Sequence, residues 1–579
     1  MSWSERQRLA IEVRRKNLLV SAAAGSGKTA VLVERVIQRM LDAAEPLDID
    51  RLLVVTFTNA AALEMRERIA AALGKELSRQ DLPADRLSRL ERQLALLGSA
   101  SISTIHSFCQ SVVRQHFHQL NLDPRFRVAS QAETDLLRRD VLEDVLEKRY
   151  AEDDAAMLLL ADCYGGERDD AALGAMIVEL YEFSRSLPEP ELWLQGCLDV
   201  FAPPEQAVFD ELPQAGLLLR QAQLRLGALN GAADQLLDLA ELAGEKEVQL
   251  AQEYAAVIAD LQAASTWSQL EAACRQGEKT AYTRLSGGKK DPAGQEARDA
   301  FKHWRDQLKK QLEKVYVLVD RPGEELVEEL RQCGPLMSAL VEVTLDFAAA
   351  FREAKASRNM LDFGDLEHFC LAVLRDGENP SAAALDLQER FQEVMVDEYQ
   401  DTNGVQEAIL QCLCPAASGR LFLVGDVKQS IYRFRLAEPE LFREKYECYP
   451  QLGDGYERID LAQNFRSRAT VLAGVNYLFR QLMDPQVAEL AYGEAECLQP
   501  GLPYPPCDGP SLEGANELWL LEEAAQTAEE SEEADAGEEL PEGFAAEAAL
   551  IAKRLQNLQA DKTHVYDKRP GGYRPLARR

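Results

Sequence analysis

The chain has 579 residues, too many for one hydrophobic core, and its 46% apolar and 28% charged content is that of a soluble globular protein of two to four domains. With 97 acidic against 64 basic residues the formal net charge is −33, which argues against a nucleic-acid partner unless basic residues cluster locally. The 11 cysteines form no C-x-x-C pair, so neither a zinc site nor an iron–sulfur cluster is expected. No run of roughly 18 uninterrupted apolar residues predicts a membrane span, and Met1 to Arg6 lacks the apolar core of a signal peptide, which predicts a cytoplasmic location.

The first strong signal is Leu18 to Thr29. A short apolar strand runs through Ala22, Ala23, Ala24, Gly25, Ser26 and Gly27 into Lys28 and Thr29, and a helical pattern follows from Ala30 to Met40. Small residues let several backbone N–H groups face one anion, and the helix start adds its positive dipole end. Lys28 then reaches the β- and γ-phosphates, and the Thr29 hydroxyl is a ligand for Mg²⁺. The pattern departs from G-x-x-x-x-G-K-[ST] in having Ala22 first, although Gly25 and Gly27 keep the bend feasible. Without a ligand the same stretch is a glycine-rich turn.

Further β-rich runs end in polar residues: Leu52 to Thr58, Ser101 to His106, Val394 to Thr402 and Leu421 to Asp426. Helical patterns follow each, which predicts an α/β fold with a parallel sheet and crossover helices. Ligands in such sheets sit beyond the carboxyl ends of the strands. At the end of the third run, Asp397 is placed to hold Mg²⁺ and Glu398 to orient and deprotonate an attacking water. Between about 125 and 360 the strand signal vanishes and Ala-, Leu-, Glu- and Gln-rich helical patterns take over, so a helical insertion interrupts the sheet domain. Within it Lys279, Arg284, Lys289, Lys290, Lys302, Arg305, Lys309 and Lys310 interleave with Tyr282, Phe301 and Trp304. That face either tracks a phosphate backbone or is an ordinary solvated helix surface.

Thr56-Phe57-Thr58-Asn59-Ala60-Ala61, Ser103-Thr104-Ile105-His106-Ser107-Phe108, Asp397-Glu398-Tyr399-Gln400-Asp401-Thr402, Val424 to Tyr432 and Asn464-Phe465-Arg466-Ser467 resemble, in order, the motifs of UvrD-like superfamily-one DNA helicases. The wording of the glycine loop, of Val427 to Pro439 and of Tyr566-Asp567-Lys568 is most similar to the AddA-type helicase–nuclease subunits and their RecB relatives. The motifs run from residue 7 to residue 468. The resemblance implies a RecA-like P-loop domain from residues 1–120 and 362–458, a DNA-binding helical insertion at 121–361, and the start of a second RecA-like domain at 459–579 with an acidic linker at 522–543. It implies that Gln7 reads the adenine edge, that Gln429 and Arg466 attend the γ-phosphate, and that Phe465 either stacks on adenine or is a core aromatic. It implies DNA contacts from Thr56, Phe57, Asn59, His106, Phe434 and Arg435, with Tyr432 either DNA-facing or core. Asp362 to Leu366 is expected to anchor the return from the insertion, and His116 and His118 to be structural.

The implied activity is ATP- and Mg²⁺-dependent 3′–5′ DNA translocation and unwinding in double-strand-break repair. The implied partners are single-stranded and duplex DNA and an AddB-type nuclease subunit in a heterodimer, with no membrane. An ATP-binding regulatory or assembly module without motor activity is the alternative. The resemblance also implies later motifs, a second arginine finger among them, and a nuclease domain. Nothing after Arg468 supplies these, so the expectation is the N-terminal half of a longer protein that binds ATP and DNA, hydrolyses ATP weakly and lacks nuclease activity. Leu518 to Leu521 is expected as a strand, Ala545 to Leu558 as a helix, and Asp567 to Arg579 as a turn-rich basic tail.

Overall fold

The computed structural model describes residues 3–42, 44–79, 83–166, 169–285, 292–416, 418–485, 488, 490–507, 509–512, 514–521, 544–567 and 572–576. The acidic stretch 522–543 and the basic residues Lys289 and Lys290 lie outside them. The chain divides into two compact units, one from residues 1–111 and 374–579 and one from residues 112–373.

The first unit is built on six parallel strands, β1 (Asn17–Ala22), β2 (Leu52–Thr56), β3 (Ser101–Thr104), β4 (Glu393–Val396), β5 (Leu421–Gly425) and β6 (Tyr456–Leu461). Their order across the sheet is β6-β1-β5-β4-β2-β3. All residues of β1, β2, β4 and β5 are buried, which is why they read as continuous apolar runs and not as alternating ones. Helix α1 (Glu5–Glu12) precedes β1, and α2 (Lys28–Leu41) follows it. Helix α2 turns Val31, Leu32, Val36 and Met40 into a core shared with Leu18, Val20, Val54, Met395, Phe422 and Val424. The parallel register sets Ser21 beside Gly425, Ala22 beside Leu461 and Val55 beside Val396, so the strands release their loops at one rim. Behind that rim Glu393 at the start of β4 accepts from Arg35 Nε and Arg39 Nε, both at 2.6 Å, a buried triad that fixes α2 against the sheet.

Three details of this unit differ from expectation. Residues 57 and 58 leave β2, and Thr58 caps helix α3 (Asn59–Leu77) by accepting from the Ala61 amide at 3.1 Å. Leu518 to Leu521 forms no strand; Leu518 and Leu520 are 85% and 84% exposed, and no neighbouring strand pairs with them among the described residues. The expected helix near the end runs Phe544–Ala560, but the tail beyond it holds an antiparallel pair, His564–Asp567 with Gly572–Pro575.

The second unit is helical. Gly323–Ser357 is long and apolar enough, by length and composition, to cross a membrane; its Val343, Phe347 and Phe351 are fully buried against helices Gln131–Ala151 and Ala171–Arg185. Two short strands, Arg127–Val128 and Met360–Leu361, pair in parallel where the chain enters and leaves this unit. Next to them Lys355 Nζ lies 2.6 Å from Asp362 and 2.7 Å from Asp365, a buried ion pair that gives the Asp362-to-Leu366 segment its anchoring role. Phe301, expected as part of a DNA-tracking face, is 0% exposed in the core of helices Pro213–Ala243, Glu245–Gln262 and Pro292–Leu318. Tyr282 stacks on Tyr254 at 4.4 Å and Trp304 is partly buried against the same core, so packing and not solvent exposure decides these aromatic positions.

Candidate active site

The loop between β1 and α2 owes its shape to two glycines, Gly25 at φ +72° and Gly27 at φ +85°, the latter capping α2. Ala22, in the first position of the loop pattern, is the last residue of β1 in extended backbone, where glycine's freedom is not needed. Ala22 and Ala23 are buried, and Ala24 and Gly25 are half-buried. Ser26 is 1% exposed, and its Oγ has no hydrogen-bond partner among the described residues. Lys28 and Thr29 are the first two residues of α2, at the positive end of its dipole.

Lys28 Nζ donates to Glu398 Oε2 at 2.7 Å, joining residues 370 positions apart. Glu398 follows β4 with φ +53° and ψ +46°, a left-handed conformation costing an L residue roughly 1–2 kcal/mol. This turn carries the carboxylate towards Lys28. Burial, then the charge of Glu398, push the Asp397 carboxyl up to about 6, while Lys28 opposes the shift. The same two causes raise Asp401 to about 6. An unpartnered hydroxyl in a glycine cradle, a lysine, the Thr29 hydroxyl and a carboxylate at one helix start are a set of donors and hard oxygen ligands. They suit a polyphosphate with a small divalent cation.

From this centre a polar chain runs to β5. Gln400, 2% exposed, donates through Nε2 to Glu398 Oε2 at 2.9 Å and accepts at Oε1 from the Asp426 amide at 3.0 Å. Asp426, 1% exposed, accepts from Gln429 Nε2 at 2.7 Å and pairs with Lys428 Nζ at 2.8 Å. Beyond Gln429 the rings of Tyr432 and Phe434 lie 5.8 Å apart, and Phe57 from the end of β2 lies 4.9 Å from Tyr432. The Arg435 guanidinium sits over both rings, 5.1 Å from Tyr432 and 5.6 Å from Phe434. Phe434 is 75% exposed and Phe57 36%, so the row Phe57–Tyr432–Phe434 offers aromatic surface to solvent.

The Asn-Phe-Arg-Ser segment follows β6. Asn464 is buried, donates to the Ala24 carbonyl at 2.7 Å and accepts from the amides of Arg466 and Ser467 at 2.8 and 2.7 Å. The Phe465 amide donates to the Gly25 carbonyl at 2.8 Å. A Cβ on Gly25 would come within 2.9 Å of Arg466 Cβ, so the glycine also makes room for this approach. The Phe465 ring lies against Gly501, and Arg466 is exposed. Gln7 is buried, accepts from the Ser4 amide at 3.0 Å and donates to the Ser26 carbonyl at 2.9 Å, which brings it to the loop.

The residues picked from sequence thus gather in two groups, the loop with Lys28, Thr29, Asp397, Glu398, Gln7, Phe465 and Arg466, and the aromatic row with Arg435. Thr56, expected to face DNA, is 2% exposed and donates to the Thr58 carbonyl at 3.1 Å, so it shapes the turn from within. Asn59 is exposed at the start of α3. His106 is the second residue of a helix, Ile105–Gln115, and not part of β3. Gln400, Asp426 and Asn464 stand inside the helicase-like motifs, and their importance lies in hydrogen-bond partners that spacing does not reveal.

A parallel α/β sheet with a glycine loop, a lysine and a strand-end Asp-Glu pair on one rim defines the P-loop class. The family model for the UvrD/REP helicase N-terminal domain matches residues 3–450, so the chain belongs to the UvrD/REP helicase family. Relatives named as ATP-dependent helicase/nuclease subunits of the AddA type are similar along its whole length. That of Pelotomaculum thermopropionicum is 42% identical over 100% of this chain and 48% of its own. The Geobacillus kaustophilus protein is 42% identical over 98% and 46%, and the Clostridium kluyveri protein 38% over 99% and 47%. The chain spans about half the length of the curated relatives it matches.

Proposed function

We propose that the chain carries the ATPase centre of a DNA-dependent helicase subunit, of the kind that works with a nuclease partner in recombinational repair of double-strand breaks. The observation that carries this reading is the 2.7 Å contact of Lys28 with Glu398, beside Asp397 and Thr29. In this reading Lys28 leaves Glu398 for the β- and γ-phosphates of ATP, and the freed carboxylate takes a proton from the attacking water. The water oxygen bonds to the γ-phosphorus as the bond to the bridging oxygen breaks, and ADP leaves with the electron pair. Mg²⁺ held through Thr29 and Asp397 would neutralise phosphate charge. Arg466 and Gln429 attend the γ-phosphate, Gln7 meets the adenine edge, and Phe465 lines the base.

Single-stranded DNA stacks on Phe57 and Phe434 with Arg435 on its backbone, a mode that tolerates any sequence, as a moving motor needs. Residues 1–120 and 362–458 act as one RecA-like domain, 121–361 as the DNA-binding insertion and 459–579 as the start of a second RecA-like domain. Movement is 3′ to 5′, duplex DNA is unwound, and the partner is an AddB-type nuclease protein, all in keeping with the resemblance; the setting is cytoplasmic. The test is ATP hydrolysis with and without oligo(dT): stimulation of about tenfold or more, abolished in K28A, is expected. ATP binding without stimulation favours a regulatory or assembly module, and no ATP binding refutes the reading.

A further inference from the structure

We propose that Gln400 is a positioning residue that fixes the Glu398 carboxylate to the end of β5 and so couples hydrolysis to the aromatic row. This deepens, and rests on, the ATPase reading above. Glu398 Oε2 takes two donors at once, Lys28 Nζ at 2.7 Å and Gln400 Nε2 at 2.9 Å. A Lys28 ammonium that turns to a phosphate gives up its close hold on Glu398, since its three donors radiate from one compact charge on a flexible stem. Once Lys28 departs, the Gln400 amide is the donor that holds Oε2 and leaves Oε1 for the water. Glu398 sits in left-handed backbone between β4 and a one-turn 3-10 helix, Tyr399–Asp401, and this bond from Gln400 sets the direction of its carboxylate.

The other end of the same amide is tied as firmly. Gln400 Oε1 accepts from the Asp426 amide at 3.0 Å, while the main-chain carbonyl of Gln400 accepts from Ser430 Oγ at 3.5 Å. Asp426 in turn holds Gln429 and Lys428, two residues of the segment that ends in Tyr432, Phe434 and Arg435. Gly425 is part of the device: a Cβ there would stand 2.4 Å from Gln400 Oε1. The side chain therefore lies against a backbone position where only hydrogen fits. A displacement of Glu398 moves this amide, and through it the Asp426 turn.

Two substitutions approach the bridge from opposite sides. Q400M keeps the side-chain length and removes all three side-chain hydrogen bonds, to Glu398, to Asp401 at 3.3 Å and from the Asp426 amide; G425A retains Gln400 but displaces its side chain. Three readouts are taken on the full chain: ATP affinity from a fluorescent ATP analogue, kcat and KM for ATP with and without oligo(dT), and oligo(dT) affinity with and without a non-hydrolysable ATP analogue. Both variants are expected to bind ATP within about threefold of wild type while the oligo(dT)-stimulated kcat falls about tenfold or more. The nucleotide-dependent change in DNA affinity should vanish in both, which a merely structural residue with an unchanged melting temperature would not cause. Q400E, which restores an acceptor for Asp426 but sets a charge beside Glu398, should recover none of the stimulation. Stimulated wild type with equally stimulated Q400M overturns the Gln400 role alone. Wild type that shows neither stimulation nor nucleotide-dependent DNA affinity overturns the ATPase-motor reading and the coupling with it.

Discussion

Asn464 and Ala24 are joined by a 2.7 Å hydrogen bond from the Asn464 side-chain amide to the Ala24 carbonyl, which ties the glycine loop to the segment bearing Arg466 across 440 residues. The other face of the amide accepts from Arg466 and Ser467. N464A leaves three backbone groups without partners and should destabilise the first unit by about 1–3 kcal/mol, read as a lower urea midpoint. N464D keeps the acceptor and loses only the donor, so it should fall between N464A and wild type. Equal midpoints for all three chains would show that Asn464 does not hold the loop.

E398Q keeps the size and the hydrogen-bonding oxygen of Glu398 but cannot take a proton. ATP affinity should be unchanged or tighter, because Lys28 no longer has a charge to leave. Turnover with oligo(dT) should drop by about 10²–10⁴-fold, the usual worth of a general base. A drop below about threefold would move the base role elsewhere.

Phe434 is 75% exposed, so F434A should leave the melting temperature unchanged. Its loss should weaken oligo(dT) binding by about 1–3 kcal/mol, independent of base sequence, if it is a stacking platform. Y432A should cost stability as well, because Tyr432 is half-buried between Phe57 and Phe434. Fluorescence anisotropy with two oligonucleotides of different sequence and a thermal melt separate the two effects.

His368 lies in the helical unit with Nε2 2.9 Å from the Arg185 carbonyl. Burial, then the Arg185 charge, lower its pKa from 6.5 to about 4. The unfolded chain therefore takes up a proton below pH 6.5 that the folded chain refuses until about pH 4. The contribution of His368 to stability is full above pH 6.5 and declines as pH falls through that window, by roughly 3 kcal/mol, while Asp397 and Asp401, with raised pKa values, act in the opposite direction. H368Q retains a donor for the carbonyl and should flatten the pH dependence of the urea midpoint between those limits; an unchanged slope assigns it to other groups.

The sheet was legible because its strands are buried on both faces, so β1, β2, β4 and β5 appear as apolar runs with polar ends. Where a side chain prefers the backbone to the pleat, pattern alone misleads. Thr58 belongs by β-propensity to a strand, yet its hydroxyl caps α3. His106 closes a β-rich run but falls in the first turn of a helix. The interleaved aromatics of 279–310 show the limit from the other side: Phe301 recurs at helical spacing among lysines, and only packing reveals that it faces inward. Lys28, Asp397 and Glu398 could be chosen from sequence because their chemistry dictates their type. Gln400 and Asn464 stand inside the quoted motifs, but their roles do not follow from residue type, because each is defined by what its amide bonds, and those partners lie up to 440 residues away.

The position of β1 between β5 and β6 also governs how the chain must be assembled. Its two neighbours begin at Leu421 and Tyr456, about 400 residues downstream, which a ribosome adding about 5–20 residues per second reaches only after about 20–80 s. For that interval an apolar strand and its glycine loop have no sheet to enter, while β2 and β3 can already pair with each other. Synthesis rate and chaperone supply, more than the final stability of the sheet, therefore decide how much of this protein escapes edge-to-edge aggregation.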